Sequence, residues 1–282
     1  MKRFFACIIS TAVLTASLFA GCGKRPDEPE PPAATAAPDY AHIPTSTVAP
    51  TAEPTAVPTA TAAPTAVPTA TPTPLPEHSA LYCGHSVEDV ILYFNEVCLD
   101  SEYVNSGDPS FVQKWVSPIS YMVHGAYTQE DYDALTALVT QLNGIYGFPG
   151  MQECFDESVS NLDIYFCTEQ ELKDRMGYDD NLDGAVTFWY DGMNQIYDAI
   201  ICIRTDIDQT IRTSVILEEI YNGLGPIQDT TLRPDSIIYQ HGSDVLALSD
   251  MDWLLLKLLY HPDMRCGLDP AQAESVLRAL YY

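Results

Sequence analysis

Leu217-Glu218-Glu219-Ile220-Tyr221-Asn222-Gly223-Leu224-Gly225-Pro226-Ile227-Gln228-Asp229 reads as the last turns of a helix, a glycine stop and a proline-fixed turn carrying polar side chains. Helical spacing extends upstream to residue 208. At about 100° per residue, Ile211, Val215, Glu218 and Asn222 share one face, with Glu219 at its flank. The first half of that face is apolar and the second half is acidic and amide. The pattern predicts a helix that starts under a sheet and emerges into a cleft. A pair of solvated glutamates near a helix end is the plainer alternative.

Ahead of this helix, Ala185-Val186-Thr187-Phe188-Trp189-Tyr190 and residues 195–204 flank the turn Asp191-Gly192-Met193-Asn194, and together they predict a hairpin. Just before it, Asp179, Asn181, Asp183 and Gly184 form a D-x-N-x-D-G pattern that resembles the first half of an EF-hand calcium loop. The twelfth position is Tyr190 instead of a bidentate glutamate, so a solvated turn competes with calcium. Ser86-Val87-Glu88-Asp89 caps a helix running to about Cys98, and residues 105–109 read as loop. Residues 114–123 read as a strand whose Pro118 argues for an edge or a bulge. Thr128-Gln129-Glu130-Asp131 opens a helix with Tyr132, Leu135, Leu138, Val139 and Leu142 on one face. Residues 162–166 alternate as a short strand. Leu248-Ser249-Asp250-Met251-Asp252 leads into a last helix through Leu255, Leu258, Leu259 and Tyr260.

The first 76 residues stand apart. Lys2 and Arg3 precede an apolar run, residues 4–19, too short and too close to the terminus for a mature membrane span. It ends in Leu18-Phe19-Ala20-Gly21-Cys22, which resembles a bacterial lipoprotein box. The resemblance implies a signal peptide over residues 1–21, acylation of Cys22 with fatty acids such as palmitate, and anchoring in the lipid bilayer on the extracytoplasmic face of a bacterial membrane. Residues 26–76 are almost entirely Pro, Thr and Ala, and Pro-Thr-Ala-Val-Pro-Thr-Ala-Thr occurs twice. Such a stretch buries no core, so residues 22–76 are expected to form a disordered stalk. At ~3.1 Å per residue it reaches roughly 150 Å when extended. Loss of Lys2 and Arg3 leaves 11 basic residues against 39 acidic ones. That surface repels phosphate backbones, so nucleic acid is excluded as a partner. With Cys7 removed and Cys22 acylated, Cys83, Cys98, Cys154, Cys167, Cys202 and Cys266 remain. Six cysteines in an exported domain allow up to three disulfides of undetermined pairing; buried thiols are the alternative, most readily at Cys167 and Cys202.

The opening stretch also has the spacing of the metzincin zinc motif, H-E-x-x-H-x-x-G-x-x-H. Glu218, Asn222 and Gln228 stand at its three histidine positions, and Glu219 and Gly225 match its glutamate and glycine. Ser236-Ile237-Ile238-Tyr239 resembles the metzincin Met-turn, with Ile238 near the methionine position. The helix ending in Leu259-Tyr260 is similar to the C-terminal helix of matrix-type metzincins. More closely, Glu218-Glu219, Leu224-Gly225, Asp235-Ser236-Ile237, Asp252, Leu259-Tyr260, Pro262 and Gly267-Leu268 resemble the bacterial family known as domain of unknown function 2927. The resemblance implies an α+β, zincin-like domain over residues 77–282. Its twisted mixed sheet would carry a long helix of the active-site type and a C-terminal helix. The likeness is specific over residues 212–280 and architectural over residues 81–205.

The chemistry departs from that pattern. A zinc protease needs three strong ligands, usually imidazoles, and an open position for water. Asn222 and Gln228 offer amide oxygens, Glu218 alone offers an anionic oxygen, and the nearest histidine downstream is His241. No cofactor is therefore expected; zinc, or calcium or magnesium on Glu218, Gln228 and Asp229, are the exceptions weighed. Glu219 keeps the general-base position without a metal-bound water to deprotonate. A non-catalytic domain binding a peptide, wall component or partner protein is the first expectation. A metal-dependent peptidase with unconventional ligands and Glu219 as base is the second, and a mere surface scaffold the third. Elbow, phosphate-loop and Cys-His signatures are absent from the sequence.

Overall fold

Local capping signals place most of the helices. Ser86 accepts the Asp89 amide and opens α1 (Val87–Cys98). Two short strands follow, β1 (Lys114–Trp115) and β2 (Ile119–Gly125). A reciprocal capping box between Thr128 and Asp131 starts α2 (Gln129–Leu142), and β3 (Met151–Glu153) and β4 (Leu162–Cys167) come next. A second capping box, Thr168 with Glu171, starts α3 (Glu169–Met176), which stops at Gly177 in the left-handed region. The hairpin β5 (Gly184–Tyr190) and β6 (Gln195–Arg204) leads to α4 (Gln209–Gly223), then α5 (Asp250–Leu259) and α6 (Pro270–Tyr281). The computed structural model describes residues 80–99, 110–177, 181–240 and 245–282. The expected signal peptide 1–21, stalk 22–76, Cys22, Asp179, His241 and the loop 105–109 lie outside the described residues.

β6 is the axis of the sheet. β5 runs antiparallel along one edge of it, from Gly184 opposite Ile203 to Tyr190 opposite Ile196. The other edge pairs in parallel with β1 at residues 195–196 and with β4 at residues 199–204. β2 joins β4, and β3 joins β2, again in parallel. The antiparallel pair is the one joined by a tight turn, whereas the parallel neighbours β2 and β3 are joined through α2. Residues 114–123 are thus two strands, correcting the single strand expected. Pro118 has no N–H for a ladder and marks the point where the chain leaves β6 for β4. The last helix expected is α5, and α6 extends the chain beyond it.

α2 and α4 share a core with one sheet face, built on Ile119, Tyr121, Ile164, Phe166, Phe188 and Ile201. Leu172 and Met176 of α3 cover Cys167, Ala185 and Cys202 on the other face. The architecture is α+β with a mostly parallel sheet and, among the described residues, six α-helices. None of the described helices is long and apolar enough to cross a membrane.

A buried ion pair locks α4 to α2. Asp131 Oδ1 accepts from Arg212 Nε at 2.8 Å and from Gln209 Nε2 at 2.6 Å, and Oδ2 accepts the Thr128 amide at 2.8 Å. Burial alone would raise the Asp131 pKa, but the hydrogen bonds from Arg212, Thr128 and Gln209 outweigh it and hold the carboxyl below its ordinary value of 3.8. A depressed pKa makes this stabilisation fully present at neutral pH and lost as pH falls below that ordinary value. Asp131→Ala strands the Arg212 charge and is expected to cost about 3–5 kcal/mol in urea unfolding at pH 7. The variant should also lose part of the wild-type acid limb below about pH 4.

Candidate functional site

The C-terminal end of α4 is enclosed from several directions. Its orphan carbonyls are taken by distant side chains: Trp115 Nε1 donates to the Gly223 carbonyl at 2.9 Å and the Tyr260 hydroxyl to that of Leu224 at 2.8 Å. Gly225 then turns the chain at φ 128°, where a Cβ would lie 2.5 Å from the Gln113 carbonyl oxygen. The amides of Ile227 and Gln228 donate to the Val97 carbonyl at the end of α1, at 2.8 and 3.2 Å. The polar turn is therefore pinned to α1, β1 and α5.

These clamps bury the residues that periodicity placed in a cleft. Glu218 is 3% exposed, Glu219 0% and Asn222 5%, while Gln228 and Asp229 are half-buried. The helix does not emerge; its end and the turn beyond it are bonded to α1, β1 and the end of α5, all remote in sequence. Both carboxyl oxygens of Glu219 and the Oδ1 of Asn222 have no hydrogen-bond partner. Burial drives the Glu219 pKa well above the ordinary carboxylate value, and the charge of Asp229 adds to the rise. The Glu219 side chain fits against the start of β5 because residue 184 is glycine. A Cβ there would stand 2.8 Å from Glu219 Oε1 and 2.4 Å from Val215 Cγ1. Read in the sequence only as a calcium-loop glycine, Gly184 proves to be the floor under Glu219.

Asn181 and Asp183 of that loop face a guanidinium. Arg204 Nη1 donates to Asn181 Oδ1 at 2.8 Å and lies 3.5 Å from Asp183 Oδ1, while Nε reaches Asp206 at 2.9 Å. Among the described residues, three or more His, Cys, Asp or Glu side chains are nowhere grouped to hold a metal ion. At Glu218, Asn222 and Gln228 the donors are carboxylate and amide oxygens, hard and without imidazole or thiolate, so this set does not fit a zinc centre. No disulfide joins the six cysteines, which are all free thiols. Cys83 and Cys266 donate to main-chain carbonyls, and Cys167 and Cys202 interact with each other under α3.

The family model described as "Protein of unknown function (DUF2927)" matches residues 88–279. The chain belongs to the DUF2927 family. No curated protein matches it.

In this DUF2927 domain the segment Ser236-Ile237-Ile238-Tyr239 lies beside α5 and is organised by one carboxylate. Asp252 Oδ1 accepts from the Tyr93 hydroxyl and from Ser236 Oγ, each at 2.7 Å. Its Oδ2 accepts the amides of Ile237 at 3.1 Å and Ser249 at 2.8 Å. Burial, then the Asp252 charge, pushes the Tyr93 pKa up and keeps its hydroxyl a donor. Tyr239 is half-buried and bridges to Thr230, and Glu96 accepts from Thr230 and Thr231. The S-x-x-D capping spacing at Ser249 and Asp252 was visible in the sequence; its reach to Tyr93 was not.

An open groove of about 650 Å³ lies near the start of β1 and the β5–β6 turn, lined by Lys114, Val116, Met193, Arg265 and Cys266 among others. Lys114 Nζ donates to the Leu259 carbonyl at 2.7 Å, and burial lowers its pKa to about 8.

Asp252→Ala is expected to cost more than about 3 kcal/mol, because four donors lose a charged acceptor inside the core. Ser249→Ala, which removes only the cap, should cost about 1 kcal/mol. Urea midpoints at constant m-value check the difference.

Proposed function

We propose that this chain is a lipid-anchored surface protein whose α+β domain uses a zincin-like frame to bind a peptide, wall component or partner protein without hydrolysing it. The observation that carries the reading is the sealing of Glu219. A general base must come within hydrogen-bond reach of the proton it takes, directly or through one water. Glu219 is fully buried, packed on Gly184 and flanked by buried Glu218 and Asn222.

The frame is supported by element order: β2, α2, β3 and β4, then, after the short α3, the hairpin β5–β6 and the long helix α4 that leads into Leu224-Gly225. It is supported too by the antiparallel edge strand β5 packed on α4, and by the buried Ser236-Ile237-Ile238 segment beyond the turn. The surface anchor rests on the residues leading to Cys22. The groove lined by Arg265 offers the ligand an entry, with a cation in a chain of net charge −26. One observation favours a metal-dependent peptidase with unconventional ligands: strongly perturbed carboxyls such as Glu219 concentrate at catalytic sites.

Peptide-library digestion separates the two readings. The purified chain and Glu219→Gln, each with and without added zinc, are expected to release no fragments. Both should be retained equally on immobilised wall fragments or peptides, and Arg265→Glu should be retained less. Cleavage by the wild type that disappears in Glu219→Gln would overturn the binding reading. Cys22→Ser should move the protein from the membrane fraction to the soluble fraction, as loss of acyl chains demands.

A further inference from the structure

Acidic residues outnumber basic ones by 39 to 13 in this chain, and its described guanidiniums are nearly all matched. Arg212 pairs with Asp131, Arg233 with Asp235, and Arg278 with Glu88 and Glu274. Arg204 sits among Glu169, Asp183 and Asp206, and Arg175 lies over the Tyr165 ring at 3.6 Å from its centroid. Among the described residues, Arg265 is the one guanidinium with neither a carboxylate nor a ring against it. It is exposed, and it lines the open groove of about 650 Å³ formed by the β5–β6 turn, the start of β1 and the segment that follows α5. We propose that this groove binds the C-terminal end of a peptide with an apolar last residue, Arg265 taking the free carboxylate. The assignment rests on the reading that the domain binds a ligand without hydrolysing it, and names the ligand's chemistry.

The groove has fixed walls. Asp191 Oδ1 accepts the amides of Met193 at 2.8 Å and Gln195 at 3.0 Å, which sets the turn. Opposite it, Val112 exchanges main-chain bonds with Gly267 and Leu268, each at 2.9 Å, and Cys266 Sγ donates to the Lys114 carbonyl. A Cβ at Gly267 would stand 3.5 Å from Asn194 Nδ2, so the two walls meet there. The choice of ligand follows from the lining. A guanidinium presents two parallel donors to a planar carboxylate. A phosphate dianion calls for a second cation, and Lys114 does not supply one, because its Nζ donates to the carbonyls of Leu259 at 2.7 Å and His261 at 3.4 Å. Polyanions are repelled by the net charge of −26. Beside Arg265 the groove offers apolar surface, with Val116 45% and Met193 62% exposed. A peptide residue carries a carboxylate and an apolar side chain on one carbon only at a chain end; an internal Asp or Glu has its carboxylate in place of the apolar group. The amides of Asn194 and Gln195, half-buried in the lining, can donate to and accept from the peptide groups that precede that end. The volume suits a ligand of a few residues.

The test uses the full chain in detergent and a fluorescein-labelled tetrapeptide of three alanines and a final leucine, followed by fluorescence anisotropy. The free acid should bind saturably with one peptide per chain. The same peptide closed as a C-terminal amide should bind at least about tenfold more weakly, as loss of a charge-assisted pair demands. Arg265→Ala should bring the free acid down to the affinity of the amide, and Arg265→Lys should keep part of the difference. Arg233→Ala, outside the groove, should leave it unchanged. Met193→Ser should weaken the leucine-ended peptide more than a glycine-ended one. Equal affinity for acid and amide would overturn the proposal, and so would an unchanged preference for the acid in Arg265→Ala. An amidated peptide with an internal glutamate that binds as well as the free acid would overturn it by giving Arg265 a side-chain partner. Failure of every peptide to bind up to about 1 mM would do the same. The wider binding reading fails by a different result, cleavage by the wild type that Glu219→Gln abolishes. Retention on immobilised wall fragments or peptides that ignores Arg265 leaves that reading standing and removes this site alone.

Discussion

Asp252 is the point on which the lower half of the domain hangs. Its carboxylate is fully buried and takes four donors, from α1 (Tyr93), from the loop before α5 (Ser236, Ile237) and from the α5 cap (Ser249). Charge-assisted bonds of this kind are about twice as strong as neutral ones, and here they join segments up to 159 residues apart. α1 in turn offers Val97 to the amides of Ile227 and Gln228, and Tyr260 at the end of α5 caps α4. The enclosure of the α4 terminus therefore depends on how α1 and α5 are set relative to each other. Asp252 sets them.

Two buried carboxyls of the domain thus live under opposite conditions. Asp252 has both oxygens paired, with two donors on each. Glu219 has neither oxygen paired and lies close against Gly184. A stable core would ordinarily place leucine or methionine there, since an apolar residue of that size removes the unpaired oxygens. A domain that keeps such a residue at the end of its longest described helix breaks a local rule without visible structural return. Rule-breaking of that kind concentrates where something other than stability is selected.

What could be read from the sequence was what short-range chemistry decides. Ser86, Thr128 and Ser249 each stand three residues before an acidic partner, so the starts of α1, α2 and α5 were legible. The hairpin was legible because two alternating runs flank a turn of Asp, Gly and Asn. α3 was missed although it carries the same capping spacing at Thr168 and Glu171; its charged sequence buries only Leu172 and Met176, too few to show a period. The split at Pro118 and the order of strands around β6 depend on pairings between distant residues. The cleft expected at Glu218 and Asn222 failed for the same reason. Periodicity tells which residues share a face, but the segments that close on the helix end, through Val97, Trp115 and Tyr260, are connected to α4 by no local pattern.

That distinction also governs how much the motif spacing can mean. Gly225 is needed by the backbone: its φ is 128° and a side chain would strike the Gln113 carbonyl, with or without a metal. Leu224 and Tyr221 are core residues, and a Cβ at Gly223 would meet Ile201 Cδ1 and Val186 Cγ2 at 3.4 Å, an ordinary contact distance. These positions fix the length of the helix and the direction of the turn, so they are held by packing. Glu218, Asn222 and Gln228 are the positions that chemistry alone would dictate, and none of them carries the motif's histidine. Agreement in spacing and at Gly225 is therefore accounted for by packing and carries no zinc chemistry with it. The matching glycine and spacing are evidence about the path. The acceptor oxygens of Glu219 and Asn222 are evidence about the chemistry, and such atoms call for a hydrogen-bond donor or a hard cation.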